Sequence, residues 1–160
     1  MFLGLHHLAI STPDIERALA FYCDALEGEL VRRGAIATSM NGVKERLGLD
    51  ACDTKTAMVR IGAVYIEFFE FTNPSPPTRR TPRPVHHHGY THICLVTENC
   101  AEAYERLTSR GVRFHAPPLK MPTGSSFTYG RDPDGNVFEI MDLPAGSAFP
   151  PLLSGPPAHQ

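Results

Sequence analysis

Two histidines and two glutamates are the residues whose types and positions in this sequence point to chemistry. Each lies in a short apolar stretch typical of a strand, and they are His7, Glu67, His92 and Glu139. Two ionised carboxylates among apolar neighbours are costly unless a positive charge neutralises them. A divalent cation does so and also binds neutral imidazole, and this nitrogen and oxygen set suits Zn, Ni, Co, Mn or Fe. The four residues therefore predict one divalent metal ion, with coordination positions left open for water or substrate oxygens.

The pattern that contains these residues occurs twice along the chain. Aligning His7 with His92, an offset of 85 residues, also aligns two apolar stripes at helical spacing. The first stripe is Ile15, Ala18, Leu19 and Tyr22, and the second is Cys100, Ala103, Tyr104 and Leu107. Each copy begins with a strand histidine and ends with a strand glutamate. We therefore expect two copies of one module, with the function located where the copies face each other.

The order of elements within each copy predicts an α+β fold. Each copy indicates a βαβββ module, the first over residues 1–72 and the second over residues 89–143. A proline-rich linker over 73–88 joins them, and residues 144–160 form a flexible C-terminal tail. A single module leaves one face of its sheet uncovered. Two modules side by side are expected to form a curved mixed eight-stranded sheet, with helices on the convex face and a cleft on the concave face.

The first copy also contains an insertion and a helix with recognisable ends. His7 and Glu67 are 60 residues apart, whereas His92 and Glu139 are 47 apart, so the first copy is longer by 13 residues. The polar segment 41–56 accounts for this difference, either as a specificity loop or as a solvated surface loop. The first helix is expected to be capped by Thr12, to run to about Leu26 and to be stopped by Gly28. Asn99 and Glu102 resemble a capping box for the second helix.

Composition limits the possible partners. The 160 residues carry a formal net charge of −2, which gives no indication of nucleic-acid binding. No apolar run approaches the roughly 20 residues of a membrane span, so no membrane partner is expected. No signal peptide is visible at the N-terminus, which favours a cytoplasmic location. Cys94 and Cys100 lie in apolar patterns and are expected to be buried, reduced thiols.

Strand alternation assigns neighbours to the four candidate ligands. The side chains expected to line an apolar substrate pocket, or equally to belong to the core, are Tyr65, Phe69, Phe127, Tyr129 and Met141. Glu70 and Asp142 follow the candidate glutamates by three positions and therefore point to the opposite face. We expect these two acids to face solvent at a sheet edge.

These motifs resemble those of the vicinal oxygen chelate superfamily, which includes glyoxalase I, methylmalonyl-CoA epimerase, extradiol dioxygenases and bleomycin resistance proteins. The resemblance covers about residues 4–143. It is carried by His-Leu-Ala-Ile at 7–10, Asp-Ile-Glu-Arg-Ala-Leu-Ala-Phe-Tyr at 14–22, Ile-Glu-Phe-Phe-Glu-Phe at 66–71, Gly-Tyr-Thr-His-Ile at 89–93, and Asp-Pro-Asp-Gly-Asn-Val-Phe-Glu-Ile at 132–140. It implies that the metal ligands are His7, Glu67, His92 and Glu139. It also implies a homodimer.

The activity implied by the resemblance is that of a metal-dependent isomerase or lyase. In such enzymes the metal stabilises the enolate that forms when a base moves a proton on the carbon beside a carbonyl. Glu139 or Glu67 can act as that base, and the resemblance favours Glu139. A second acid of the epimerase type has no secure match, although Glu45 and Asp50 are candidates. The alternatives are an Fe(II) dioxygenase, for which Glu67 would be a supernumerary ligand, and a non-catalytic small-molecule binding or resistance protein.

Overall fold

The computed structural model describes residues 4–77 and 81–152. The chain divides into two compact units whose boundary lies between residues 80 and 81. The first unit contains β1 His7–Ser11, α1 Ile15–Leu19, β2 Glu29–Ile36, α2 Val43–Arg46, β3 Asp53–Ile61 and β4 Val64–Asn73. The second contains β5 His92–Thr97, α3 Cys100–Ser109, β6 Arg113–Phe114, β7 Leu119–Lys120, β8 Ser126–Arg131 and β9 Val137–Asp142.

Both units have the same sheet plan. The first sheet has the strand order β1-β4-β3-β2, and the second has the order β5-β9-β8-β6 with β7 also paired to β8. In each sheet the first strand lies parallel to the last, and the other pairs are antiparallel. The α+β class is thereby confirmed. The predicted eight-stranded sheet is corrected in two respects: the strands form two sheets, one of four strands and one of five, and Leu119 and Lys120 add a short strand that was not predicted.

The core of each unit lies between its helix and one face of its sheet. In the first unit, Tyr22 packs on Phe68 with ring centroids 4.8 Å apart, and both side chains are fully buried. In the second unit, Phe138 and Leu107 are also fully buried. The ring centroid of Phe114 lies 5.6 Å from that of Phe138. One face of each sheet is thus used for the core. The side chains of the opposite face remain available for a site.

The first helix differs from the prediction at its beginning but not at its end. Asp14, rather than Thr12, is the N-cap, because its side chain accepts a hydrogen bond from Arg17 N at 3.1 Å. Thr12 instead accepts from the backbone N–H of Asp14. From Ala20 to Ala25 the helix continues as a π-helix. It ends at Ala25 with Leu26 as its C-cap, near the predicted end at about Leu26, and Glu27 then adopts a left-handed φ of 61° before Gly28.

The insertion is closed by hydrogen bonds between its two ends. It contains the short helix α2 and ends at residue 52 rather than at the predicted 56, because β3 begins at Asp53. The carboxylate of Asp53 accepts hydrogen bonds from the backbone N–H and hydroxyl of Thr38 and from the amide of Asn73. Thr38 Oγ1 in turn accepts from Cys52 N. The segment 37–52 is therefore a loop tied at its base to the sheet.

The predicted tail and the predicted linker are described only in part. Ser147 Oγ lies 2.8 Å from the buried Ser125 Oγ, so the beginning of the predicted tail contacts the second unit. The end of that tail, 153–160, and residues 78–80 of the predicted linker lie outside the described residues. Within the parts of the chain that are described, none of the helices has the length and apolar character needed to cross a membrane.

Candidate metal centre

The first unit brings His7 and Glu67 together on the sheet face that the helix does not cover. β1 and β4 are parallel, with His7 opposite Tyr65 and Ala9 opposite Glu67. His7 and Glu67 are therefore diagonal neighbours on one face. The Nε2 atom of His7 lies 3.4 Å from Oε2 of Glu67. The two side chains form one histidine–carboxylate pair.

The second unit contains the same pair in the same register. β5 and β9 are parallel, with His92 opposite Val137 and Cys94 opposite Glu139. His92 is thus related to Glu139 as His7 is to Glu67. The Nε2 atom of His92 lies 3.1 Å from Oε2 of Glu139. The repeat seen in the sequence therefore extends to the positions of the histidine and the glutamate within each sheet.

Both histidines are held by the residue that immediately precedes them. The Nδ1 atom of His7 lies 2.9 Å from Nδ1 of His6, and Nδ1 of His92 lies 2.9 Å from Oγ1 of Thr91. When Nδ1–H donates in these contacts, Nε2 keeps its lone pair and points toward the carboxylate. Histidines that bind metals commonly donate their second ring N–H in this way. The donor atoms of each pair therefore fit a divalent cation.

The surroundings of Glu139 are polar as well as enclosed. Cys94 and Tyr129 lie opposite it on the two adjacent strands. Burial, followed by the nearby negative charge of Glu139, raises the pKa of the Tyr129 phenol above its usual value. The same two causes raise the pKa of the Cys94 thiol to about 12. Both groups therefore remain protonated donors at neutral pH.

The exposure of Cys94 differs from the prediction. Cys100 is buried as expected, but Cys94 is exposed as a residue, because it lies on the edge strand β5 and on the face away from the core. Burial of its thiol is nevertheless the largest cause of its raised pKa, and the negative charge of Glu139 is the second.

The predicted pocket residues lie on the same faces as the two pairs. In the first unit Tyr65 is half-buried and stacks on His6, with ring centroids 5.0 Å apart, and Phe69 is half-buried beside Phe71. In the second unit, the half-buried Phe127 and Tyr129 and the buried Met141 occupy the face of Glu139. Within the described residues, no group of three or more histidine, cysteine, aspartate or glutamate side chains is placed to hold a metal ion. The structure thus describes two pairs, each within its own unit.

Comparison with known proteins identifies the family. The model of the Glyoxalase/Bleomycin resistance protein/Dioxygenase superfamily matches residues 4–140. The chain belongs to this superfamily. A 2-epi-5-epi-valiolone epimerase from Actinomyces sp. is 29% identical over 154 residues, which cover 92% of this chain and 83% of that protein.

Solved structures show the same superfamily fold. A glyoxalase family protein from Bacillus cereus superposes with a TM-score of 0.79 at 20% identity, covering 89% of this chain and 95% of that one. A lactoylglutathione lyase from Agrobacterium tumefaciens gives a TM-score of 0.55 at 22% identity, covering 87% and 92%. Members of the superfamily typically bind a divalent metal ion and act on small molecules.

In this superfamily member, Glu70 and Asp142 have a role that the sequence analysis missed. Glu70 Oε2 accepts a hydrogen bond from Ile15 N at 2.8 Å, and Asp142 Oδ2 accepts one from Cys100 N at 3.2 Å. Ile15 and Cys100 are the first residues of the two helices and are themselves 85 positions apart. The two acids therefore fix the start of each helix to its sheet. The shared offset was the signal that could have predicted this role.

Proposed function

We propose that His7, Glu67, His92 and Glu139 bind one divalent cation per chain, and that the protein moves a proton on a carbon beside a carbonyl group. The observation that supports this most directly is the repeated pair, in which an imidazole Nε2 faces a carboxylate at 3.4 Å in one unit and 3.1 Å in the other. Two carboxylates and two neutral imidazoles form a set that divalent transition metals accept.

The side chains of the pairs would divide the work between binding and proton transfer. When bound, a divalent cation polarises a carbonyl oxygen and stabilises the negative charge that develops as the adjacent C–H bond breaks. A glutamate carboxylate of the pair receives that proton, and returns it or exchanges it with water. Tyr65 and Phe69 lie on the face of Glu67, where they can exclude water and contact an apolar part of the substrate. The reaction is an isomerisation or epimerisation if the proton returns to a different position or face.

The epimerase relative supports this reaction class over the other two. Its name specifies epimerisation of 2-epi-5-epi-valiolone, and this chain has two histidines and two glutamates as candidate ligands. A non-catalytic binding protein would have no need of the paired carboxylates. An Fe(II) dioxygenase of the type with two histidines and one carboxylate would have no use for Glu67 as a further ligand. A homodimer and a cytoplasmic location belong to the same proposal.

Deuterium exchange tests the proposed reaction without requiring the natural substrate. The metal-loaded protein is incubated in D₂O with 2-oxo acids, acyl-CoA thioesters and 2-epi-5-epi-valiolone, and label is followed by NMR. We expect exchange at the carbon beside the carbonyl of at least one compound, and its loss on treatment with chelator or in His7→Ala. Glu105→Gln, an exposed change on α3, should exchange like the wild type. Absence of metal-dependent exchange with every compound would refute the proposed reaction.

A further inference from the structure

The edge strand β2 of the first sheet carries two adjacent arginines that face opposite sides of the sheet. Arg33 donates from Nη2 to Oε2 of Glu16 on α1 at 2.9 Å, so it faces the helix. Arg32 lies opposite Met58, which in turn lies opposite Glu67. Residues directly opposite each other on paired strands share a face of the sheet. Arg32 is therefore on the face that carries the histidine–glutamate pair.

A β-bulge in β2 gives Arg32 this placement. The pairing register shifts between Leu30 and Arg32, so Val31 is the extra residue of the bulge. With regular pairing, Val31 would lie opposite Met58 and Arg32 would face the core. Bulges occur next to functional sites, where they redirect a side chain. The position 85 residues after Arg32 is Pro117, so the arginine is not part of the repeated pattern.

The positive charge of Arg32 is left without a protein partner. Arg60, on the same face of the neighbouring strand, forms an ion pair with Glu29. Within the described residues, the guanidinium of the exposed Arg32 has neither an acidic partner nor a hydrogen-bond acceptor. A guanidinium presents a planar fork of donors that matches the oxygens of a carboxylate or a phosphate. Its position beside the candidate site therefore indicates an anionic ligand.

Thr56 and Gly34 supply a second donor and the space for an anion next to Arg32. Gly34 lies directly opposite Thr56, and Arg32 is the diagonal neighbour of Thr56 on the same face. Thr56 is half-buried, and its hydroxyl has no hydrogen-bond partner among the residues that the structure describes. A Cβ atom at Gly34 would lie 3.0 Å from Oγ1 of Thr56, which is a hydrogen-bond distance. The glycine thus leaves open a position from which an anion oxygen can accept from the hydroxyl.

This group lies within reach of the candidate metal ligand Glu67. Thr56 is opposite Phe69, which makes it a diagonal neighbour of Glu67. The Cα atoms of Arg32 and Glu67 are separated by two strand spacings, or about 10 Å. One small molecule can therefore contact Glu67 at one end and Arg32 at the other.

We propose that Arg32, Thr56 and the space over Gly34 form a subsite for an oxyanion, and that the substrate carries this carboxylate or phosphate several bonds away from its reacting carbon. The assignment of the anion to the substrate rests on the proposed function. The binding of a free anion to the subsite does not depend on it.

Side-chain NMR tests the subsite by itself, with the full chain freed of metal by chelator. Inorganic phosphate and, separately, acetate are titrated while the Nε–H signal of Arg32 and the amide signal of Thr56 are followed. We expect both signals to shift and to saturate with at least one of the two anions, and the anion that binds more tightly identifies the group. Thr56→Val and Gly34→Ala should each weaken that binding by about tenfold.

Arg33→Gln is the matched control, because it removes an arginine from the other face of the same strand, and it should bind the anion as the wild type does. Wild-type signals that do not saturate with either anion would overturn the subsite. The same conclusion follows if Thr56→Val and Gly34→Ala bind as tightly as the wild type, since Arg32 is then an ordinary surface arginine.

Ligand binding to the Co²⁺-loaded protein tests whether the anion belongs to the substrate. Three 2-oxo acids share one end and differ at the other: 2-oxoadipate ends in a carboxylate, 2-oxo-5-phosphonopentanoate in a phosphonate and 6-methyl-2-oxoheptanoate in an isopropyl group. Visible absorption of Co²⁺ reports their binding. We expect one of the two doubly anionic acids to bind about tenfold more tightly than the isopropyl analogue, and Arg32→Gln to abolish this difference. Equal affinities of all three for the wild type would refute the assignment to the substrate.

The two experiments separate failure of this inference from failure of the proposed function. A wild type that retains no Co²⁺ refutes the proposed function and, with it, the assignment of the anion to the substrate, while the NMR titration still decides the subsite. A wild type that binds Co²⁺ but whose Arg32 signal does not respond to either anion refutes the inference alone. Circular dichroism melting of each variant shows that a loss of binding does not come from unfolding.

Discussion

Individual acids in this protein have separate uses that depend on which face of a strand they occupy. Glu67 faces His7, whereas Glu70, three residues later, faces the helix and accepts from Ile15 N. Lys55 Nζ also bonds to Glu70 at 2.7 Å, and this contact, followed by the Ile15 N–H, lowers the pKa of the Glu70 carboxyl. One strand thus supplies a residue for the site on one face and a residue for the fold on the other.

Removing the Glu70 charge should lower stability in a pH-dependent way. Because its pKa is lower in the folded state, the contribution of Glu70 is fully present above the unfolded value of about 4.3. The contribution disappears as the pH falls through the folded pKa. We expect Glu70→Gln to lower the free energy of unfolding by about 1 kcal/mol at pH 7, mainly through the helix-start bond, since Lys55 is exposed.

Urea denaturation as a function of pH provides the measurement for Glu70. The curves of wild type and Glu70→Gln should converge below the folded pKa. Glu105→Gln, exposed on the outer side of α3, serves as the control and should stay within about 0.5 kcal/mol of wild type. A difference between wild type and Glu70→Gln that is constant over the whole pH range would contradict this explanation.

At the level of secondary structure, most elements could be predicted, because the spacing of their apolar residues and the turn residues at their ends indicate the same helix or strand. Glycines in turn positions separate the paired strands, with Gly62 between β3 and β4 and Gly135 between β8 and β9. The π-helix after α1 could not be predicted, because its apolar residues also satisfy an α-helical stripe. The short β7 was missed because two residues carry too little pattern.

The insertion between β2 and β3 should depend on Asp53 for its closure. The backbone N–H of Thr38, followed by the Asn73 amide and the Thr38 hydroxyl, lowers the pKa of Asp53, in agreement with its three hydrogen bonds. We expect Asp53→Ala to lower the free energy of unfolding and to speed amide hydrogen exchange chiefly in segment 37–52. Asp50→Ala, an exposed change within the same loop, should leave exchange as in wild type. Exchange that rises equally throughout the sheet would show that Asp53 does not act locally.

For the whole molecule, the duplication is what made the candidate site predictable. A single strand histidine carries little information, but matched histidines and matched acids at one offset indicated both pairs before the structure was known. The neighbours that distinguish the two pairs could not be predicted. Which side chains lie opposite Glu139 depends on the pairing register of three strands, and Cys94 and Tyr129 are 35 residues apart in sequence.

The metal content of the purified protein tests the central claim most directly. Protein is loaded with Zn²⁺, Ni²⁺, Co²⁺, Mn²⁺ or Fe²⁺, dialysed, and analysed by inductively coupled plasma mass spectrometry. The variants are His7→Ala, His92→Ala, and a control in which His86, His87 and His88 of the exposed histidine run are all alanine. We predict one ion per chain in the wild type and in the control, and loss of that ion in either single variant. A wild type that retains none of these ions, or an ion that survives in both single variants, would contradict the account.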